Sequence, residues 1–392
     1  MCVTRELTEA EFSRRRLLGL GAGLGAGVAV AGGGFLTEAE ANAVPAPLLR
    51  HRHDNRVVLL GVSGGPPPEI GRAGIASALV IGDRVYLVDC GRGAVTQYME
   101  AGLPLKNLRG VFITHLHSDH VIDTYDFFEL GGIPNDSGDG ILPPRAGQPR
   151  IQVYGPGPAG GLPPAEDPAT PTIAPDLPTP GIADLMRLQL ESLAYSTNAF
   201  LRVGIKADPR SLFDVHDLLP PASVGADWTN RSPDMEPFLV MDDGFVRVTA
   251  TLVPHGPIYP SYAYRFDSEE GSVVFSGDTS YSENVIRLAH GADMLVHEVI
   301  DVNFYAELLG VDPALLEHLR RNHTDVTVLG PLAELAEVDR LVLNHLVPSD
   351  PKLMSDATWR RNVRPGYSGR IIVGDDLMHL PLRRRRRRTV VG

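Results

Sequence analysis

The chain has 392 residues, a formal net charge of −12 at pH 7 and a hydrophobic fraction of 43%, which is ordinary for a soluble globular protein. The acidic balance argues against nucleic acid as a partner, because affinity for a phosphate backbone depends on basic patches. The high content of glycine (41) and proline (33) predicts long loops.

The first 43 residues have the pattern of an export signal. A Ser-Arg-Arg triplet at 13–15 precedes a glycine-rich run that is too weakly apolar for a stable membrane span. The segment resembles a twin-arginine signal, with small residues suited to cleavage at 39–41 and 41–43. We therefore expect the twin-arginine (Tat) export machinery as a partner and a soluble, exported mature protein in the periplasm or outside the cell. A disordered Ala/Gly-rich terminus is the alternative.

Signal cleavage would leave Cys90 as the one cysteine of the mature chain, which excludes an intrachain disulfide. The other end carries an arginine run, Arg383–Arg388. We interpret residues 383–392 as a solvated, disordered tail, with an electrostatic contact to an anionic lipid or polymer as the alternative.

Between these termini, apolar segments alternate with helical patterns. Strands are predicted at 56–62, 76–82, 84–89, 109–114, 151–154, 245–253, 262–266, 272–276, 294–299, 340–344 and 370–373, and helices at 95–103, 183–203, 282–290, 313–321 and 325–337. Strands followed by helices in two successive runs predict an α/β fold of two sheets packed between helical layers. No linker divides residues 44–382, so we expect one domain.

Residues 131–182 are dominated by Gly, Pro and Asp and predict mostly loop. With the helical pattern after them they form an expected insert, about 131–204, over the active-site edge. Tyr195 and Phe200 within it could supply an apolar substrate wall or could equally be helix core.

The stretch VFITHLHSDHVID, residues 111–123, predicts a metal site. A buried strand ends at Thr114, and the loop after it carries His115, His117, Asp119 and His120. Residues two apart in an extended segment point the same way, so the first two imidazoles can meet at one point and the next two side chains at a second. Imidazole with carboxylate suits a divalent ion of the zinc, manganese or iron type.

A centre with two ions needs further ligands, and three candidates follow apolar strands directly. They are His255, Asp278 and His345. Ligands that leave several strands can share one edge of a sandwich, where open clefts form. Taken singly, each of these residues would more often be structural.

The motifs together resemble the metallo-β-lactamase-fold hydrolases, in their ribonuclease Z and arylsulfatase-like branch. The resemblance rests on THLHSDH (114–120), YLVDCG (86–91), VYGPG (153–157), VVFSGDT (273–279), MLVHEV (294–299), NHTDVT (322–327) and LVLNHLVP (341–348). MLVHEV matches the branch's HEAT motif up to Glu298 and differs after it. NHTDVT matches the HST motif at His323 and differs after it. The resemblance implies an αββα metallo-β-lactamase sandwich.

The resemblance also implies the roles of the ligands. His115, His117 and His255 would bind a first divalent ion, and Asp119, His120 and His345 a second, with Asp278 bridging the two. Zn²⁺ is the expected ion, with Mn²⁺ or Fe²⁺ as alternatives. A metal-bridged hydroxide would be the nucleophile, and Asp119 would additionally orient the attacking water.

Glu298 and His323 occupy the positions of the HEAT glutamate and the HST histidine. The histidine would assist the leaving group, held by the glutamate. The alternative is a cap at the start of the predicted helix 325–337. Two interpretations of Asp89 fit the sequence equally well: it supports a metal ligand, or it shapes a turn.

The resemblance implies a metal-dependent hydrolase, and the export pattern and acidic composition favour an exported enzyme that acts on small sulfate or phosphate esters. His255 and Asp278 are only 23 positions apart, which leaves no room for the tRNA-gripping arm that bacterial tRNA-processing members carry there. A tRNA 3′-processing endoribonuclease and a lactonase are the alternatives, and a metal-binding protein without turnover fits the Glu298–His323 pair less well. The sequence does not decide between a monomer and a homodimer.

Overall fold

The computed structural model describes residues 55–141, 149–165, 167–308 and 312–384. The predicted export signal, residues 1–43, and residues 385–392 of the predicted tail lie outside this range. Within it, no helix is both long enough and apolar enough to cross a membrane.

Two seven-stranded sheets are formed by the described residues, in the orders β14-β1-β2-β3-β4-β5-β6 and β13-β12-β11-β10-β9-β8-β7. The strands are β1 (Arg56–Gly61), β2 (Ala76–Ile81), β3 (Arg84–Val88), β4 (Leu108–Phe112), β5 (Ile151–Pro156), β6 (Phe213–Leu218), β7 (Phe238–Asp242), β8 (Val246–Leu252), β9 (Tyr262–Ser268), β10 (Gly271–Phe275), β11 (Met294–Ile300), β12 (Arg340–Val347), β13 (Arg370–Val373) and β14 (Met378–Pro381). β3 to β6 are parallel in the first sheet, and β10 to β13 in the second.

The helices are α1 (Ala94–Glu100), α2 (Ser118–Val121), α3 (Asp126–Glu129), α4 (Ile182–Ser192), α5 (Ala194–Val203), α6 (Glu283–Ala289), α7 (Val302–Leu308), α8 (Pro313–Asn322), α9 (Val326–Leu335) and α10 (Asp356–Val363). Short 3₁₀ turns lie at Leu105–Asn107, Pro209–Ser211 and Ala222–Val224.

Alternation along the strands divides the core into two clusters. In β1, Val57 and Leu59 belong to the cluster shared with the second sheet, whereas Val58 and Leu60 belong to the cluster under the helices of the first sheet. This period of two is what a strand with both faces covered requires. The predicted αββα sandwich is therefore confirmed.

The helical part of the expected insert packs on the first sheet. α4 packs on β5 and β6, and its Ile182 and Met186 are buried in the outer cluster of the first sheet. Tyr195 is 92% exposed, so it is not helix core. The pattern at 183–203 predicts one helix, whereas the structure has two, α4 and α5, separated at Leu193. Periodicity alone also does not say which surface covers the apolar side of α4.

Several elements were missed by the sequence pattern, among them β6, β7 and α10. β6 and β7 are edge strands with half-exposed side chains, so their hydrophobic alternation is weak. The connection between them, residues 219–237, is a long loop.

Candidate metal centre

Parallel strands bring the site together, because their carboxyl ends meet at one edge. β4 ends at Phe112, and the chain then presents His115 and His117 before the short helix α2, which carries Asp119 and His120. His255 follows β8 and Asp278 follows β10. All of the ligands predicted from sequence reach this edge.

His345 arrives differently from the prediction. The strand does not end at Asn344 but continues to Val347, and the register with β11 shifts so that His345 has no pairing partner there. This is a β-bulge, which re-aims one side chain toward a site. Its backbone φ of 43° is uncommon for a residue other than glycine, and such strain is characteristic of functional positions.

One group of ligand atoms forms around His115, His117, His255 and Asp278, all within 4.8 Å of one another. The Nε2 of His115 lies 3.0 Å from the Nδ1 of His117, and the Nε2 of His255 lies 3.2 Å from the same atom. The Oδ2 of Asp278 is 3.9 Å and 3.8 Å from the two Nε2 atoms. Tetrahedral zinc with nitrogen ligands needs separations of roughly 3.3 Å, so one ion fits.

A second group is formed by Asp119, His120 and His345. The Oδ2 of Asp119 is 3.5 Å from the Nε2 of each histidine. Asp278 also faces this group, with Oδ1 3.3 Å from His120 Nε2 and Oδ2 3.3 Å from His345 Nε2. Asp278 therefore stands between the two groups, as a bridging carboxylate would.

The polar atoms of this second group fit an ion better than they fit one another. His120 Nε2, Asp119 Oδ1 and Asp278 Oδ1 are buried and have no hydrogen-bond partner among the described residues. Buried polar atoms without partners are costly. A divalent cation would satisfy the atoms of His120 and Asp278 together, so the donor set present suits the expected metals.

The outer nitrogens of two of the candidate ligands, His120 and His255, are held by neighbours. The Oδ2 of Asp89 lies 2.8 Å from His120 Nδ1, and its Oδ1 accepts from the backbone N–H of Thr114 at 2.8 Å. His255 Nδ1 donates to the carbonyl oxygen of Asn322 at 2.8 Å. Such contacts fix the tautomer and direct Nε2 at a metal. Asp89 therefore both shapes the turn and supports a ligand.

At two of the candidate ligands, burial favours the neutral imidazole that metal binding needs. Burial lowers the pKa of His117, and it lowers the pKa of His255 to about 3. Burial would also lower the pKa of His120, but the carboxylates of Asp278 and Asp89 outweigh it and raise that pKa well above its usual range. The two carboxylates therefore favour a positive charge beside His120.

Glu298 and His323 meet beside the ligands. Glu298 Oε1 lies 3.2 Å from His323 Nδ1 and also accepts from the backbone N–H of Thr279 at 3.0 Å and of Thr324 at 3.2 Å. Burial would lower the pKa of His323, but Glu298 outweighs it and raises that pKa to about 9. The pair is therefore placed to hold a proton next to the metal ligands.

The alternative that His323 caps the start of the following helix is wrong. His323 follows the last residue of α8 in an extended conformation, and the side chain that caps α9 is Asp325, which accepts from Thr327 N–H. His323 Nδ1 also lies 4.0 Å from Asp278 Oδ2, so distance alone would permit it as a ligand. Glu298 is the nearer partner.

A family model and sequence relatives identify the group to which this site belongs. Residues 71–195 match the metallo-beta-lactamase superfamily. A ribonuclease Z of Mycobacterium avium is 30% identical over 323 residues, which cover 82% of this chain and 96% of that protein. A ribonuclease Z of Mycobacterium bovis BCG is 28% identical over 332 residues, which cover 84% and 99%.

Solved structures agree on the fold. The short form of human tRNase Z has a TM-score of 0.54 at 20% identity, covering 83% of this chain and 99% of that one. The metallo-beta-lactamase fold protein YhfI of Bacillus subtilis has a TM-score of 0.52 at 18% identity, covering 83% and 98%. The chain thus belongs to the metallo-β-lactamase superfamily as a homologue of ribonuclease Z, and it is a metal-dependent hydrolase that acts on ester bonds.

Proposed function

We propose that the protein hydrolyses phosphodiesters with two divalent metal ions, most simply zinc. The observation that carries the proposal is the complete set of seven ligands beside the Glu298–His323 pair, in a chain that aligns with ribonuclease Z relatives over more than four fifths of its length. RNA is the substrate class that these relatives favour.

The name of these relatives, ribonuclease Z, indicates that they act on RNA. This conflicts with the expectation that nucleic acid is an unsuitable partner. That expectation rested on the net charge of the whole chain, −12. Net charge governs long-range attraction, but it does not exclude a local basic surface.

The seven ligand side chains would hold the two ions, which when bound lower the pKa of water and neutralise charge on phosphoryl oxygens. Asp119 has one oxygen, Oδ2, facing His120 and His345 and another, Oδ1, without a hydrogen-bond partner among the described residues. Oδ1 is therefore available to accept a hydrogen bond from the attacking water. His323 has its Nδ1 beside Glu298, which leaves Nε2 to donate to the leaving oxygen.

A second candidate is a small phosphate or sulfate ester, or a lactone, as substrate. The specific observation is that the segment between His255 and Asp278 is filled by β9 and β10, which pair with each other as a hairpin within the sheet. This interval therefore contributes no arm for gripping a long RNA.

Three substrates distinguish these candidates: a tRNA precursor with a 3′ trailer, bis(4-nitrophenyl) phosphate and 4-nitrophenyl sulfate. We expect the zinc-loaded mature protein to cleave at least one phosphodiester, and a chelator to abolish this activity reversibly. Cleavage of the precursor at its 3′ end would favour RNA. Hydrolysis of the sulfate ester alone would show that the phosphodiesterase proposal is wrong.

We also propose export by the twin-arginine route. Replacing Arg14 and Arg15 by lysine is expected to leave uncleaved precursor in the cytoplasm, because the export machinery reads the arginine pair. Fractionation with detection of a C-terminal tag measures this, and Arg16→Lys in the same segment is the control. Undiminished export of the double variant would mean that the arginine pair is coincidental. Export would also separate the protein from cytoplasmic tRNA precursors and so favour the second candidate.

A further inference from the structure

A cleft of about 530 Å³ opens directly beside the metal centre. Pro254 and Gly256 line it and flank the ligand His255, and Asn322 lines it immediately before His323. Apart from Pro257, the remaining lining residues come from the loop between β6 and β7 and from α8. The cleft therefore adjoins the metal centre through residues next in sequence to the ligand His255 and to His323, although none of the seven ligands lines it.

The charge of the cleft is opposite to that of the chain. Its lining includes Arg231, Arg321 and His318 and contains no aspartate or glutamate, although the chain carries a net charge of −12. Polar side chains of the same loop, Thr229 and Asn230, complete the wall. Arginine with amide and hydroxyl donors is the set that binds phosphate and carboxylate groups.

Arg231 is the residue best placed to bind an anion. Its Nη1 donates to the carbonyl oxygen of Trp228 at 2.9 Å, which orients the guanidinium, and it forms no ion pair with a carboxylate in the part of the chain that the structure describes. Arg321, by contrast, pairs through Nε with Glu317 at 2.9 Å on the exposed face of α8. Its two Nη groups remain as donors to a ligand.

Hydrogen bonds order the loop that carries Arg231. Asp227 Oδ1 accepts from Thr229 N–H at 2.7 Å and from Asn230 N–H at 2.8 Å. Further along, Asn284 Nδ2 donates to the carbonyl oxygen of Pro233 at 2.9 Å. These bonds hold the arginine in position before a ligand arrives, which lowers the entropic cost of binding.

The cleft is coupled to the metal centre through Asn322. Its carbonyl oxygen holds the ligand His255, and its side-chain nitrogen lies 2.7 Å from His318 Nε2 in the cleft. Gly256, with φ 49°, lies so close that an added Cβ would be 1.8 Å from Asn322 Oδ1. The backbone beside the ligand and the wall of the cleft therefore pack against each other.

We infer that this cleft is a subsite for a second anionic group of the substrate, which Arg231 and Arg321 recognise beside the scissile phosphodiester. The inference rests on the proposed function, since that function supplies the first phosphate. It assigns specificity to substrates that carry a further phosphate or carboxylate, whether part of a longer polyanion or of a small molecule.

Calorimetric titration of the zinc-loaded mature protein tests the subsite without turnover. Thymidine 3′,5′-bisphosphate is expected to bind about tenfold or more tightly than thymidine 5′-monophosphate, because a charge-assisted hydrogen bond to a second phosphate is worth this factor. Arg231→Gln should remove most of this preference, and Arg321→Gln part of it. Arg320→Gln changes the neighbouring arginine, which does not line the cleft, and should retain the full preference.

Equal binding of the two nucleotides, binding of neither, or a preference that survives Arg231→Gln would overturn the subsite. Turnover of bis(4-nitrophenyl) phosphate by the same preparations separates this result from the proposed function. A bisphosphate preference without any phosphodiester hydrolysis would contradict the function and leave the subsite standing. Phosphodiester hydrolysis without the bisphosphate preference would support the proposed function and overturn the subsite.

Discussion

Asp278→Ala is expected to release both metal ions and to reduce kcat/KM by ~10³-fold or more. Asp278 is 3% exposed, and its two oxygens lie within 3.3 to 3.9 Å of the Nε2 atoms of His115, His120, His255 and His345. Removing it takes one ligand from each ion together with the negative charge that offsets both. Several kcal/mol of transition-state stabilisation by metals corresponds to this loss of rate.

Elemental analysis of the purified variant measures the metal content directly, with circular dichroism to confirm that the fold persists. Asp83→Ala is the matched control, because Asp83 is an exposed carboxylate in the turn between β2 and β3. The control should keep about two ions per chain. Loss of one ion alone from Asp278→Ala would show that Asp278 does not bridge, and retention of both would sink the ligand assignment.

His323→Ala is expected to keep both ions and to slow poor leaving groups by ~10²–10⁴-fold, the usual worth of a positioned proton donor. His323 is 17% exposed at its side chain and lies against Glu298, so it can reach a substrate while its protonated form is stabilised. Nitrophenyl leaving groups carry negative charge well and need little proton assistance. Esters of this kind should therefore be affected much less than alkyl esters.

The dependence on leaving group, measured with a series of phosphodiesters, separates proton donation from a structural role. Glu298→Gln should reproduce part of the pattern, because it keeps the shape but loses the charge beside His323. Glu298→Gln would also weaken the hydrogen bonds that Oε1 accepts from the backbone N–H groups of Thr279 and Thr324. His290→Ala, at an exposed histidine after α6, is the control. Equal slowing of good and poor leaving groups by His323→Ala would exclude the proton-donor role, and loss of an ion would make His323 a ligand.

The sequence by itself determined the fold class and the candidate ligands. Buried strands of Val, Ile and Leu have a local signature, and so does the crowding of His115, His117, Asp119 and His120 directly after one of them. His255 and Asp278 were predictable for the same reason, because each follows an apolar strand. Local chemistry was enough wherever strand, turn and ligand are adjacent along the chain.

Only the tertiary structure decided how distant segments meet. The bulge that aims His345 depends on the register between β11 and β12, and the support of His255 by Asn322 joins residues 67 positions apart. The cleft beside the metal centre joins the 219–237 loop with α8, and of these residues only Asn322 belongs to a motif. The surface under α4 was likewise undetermined, since an amphipathic helix specifies that one side is buried but not against what. Such contacts depend on packing over long sequence separations, on which local propensity and spacing carry no information.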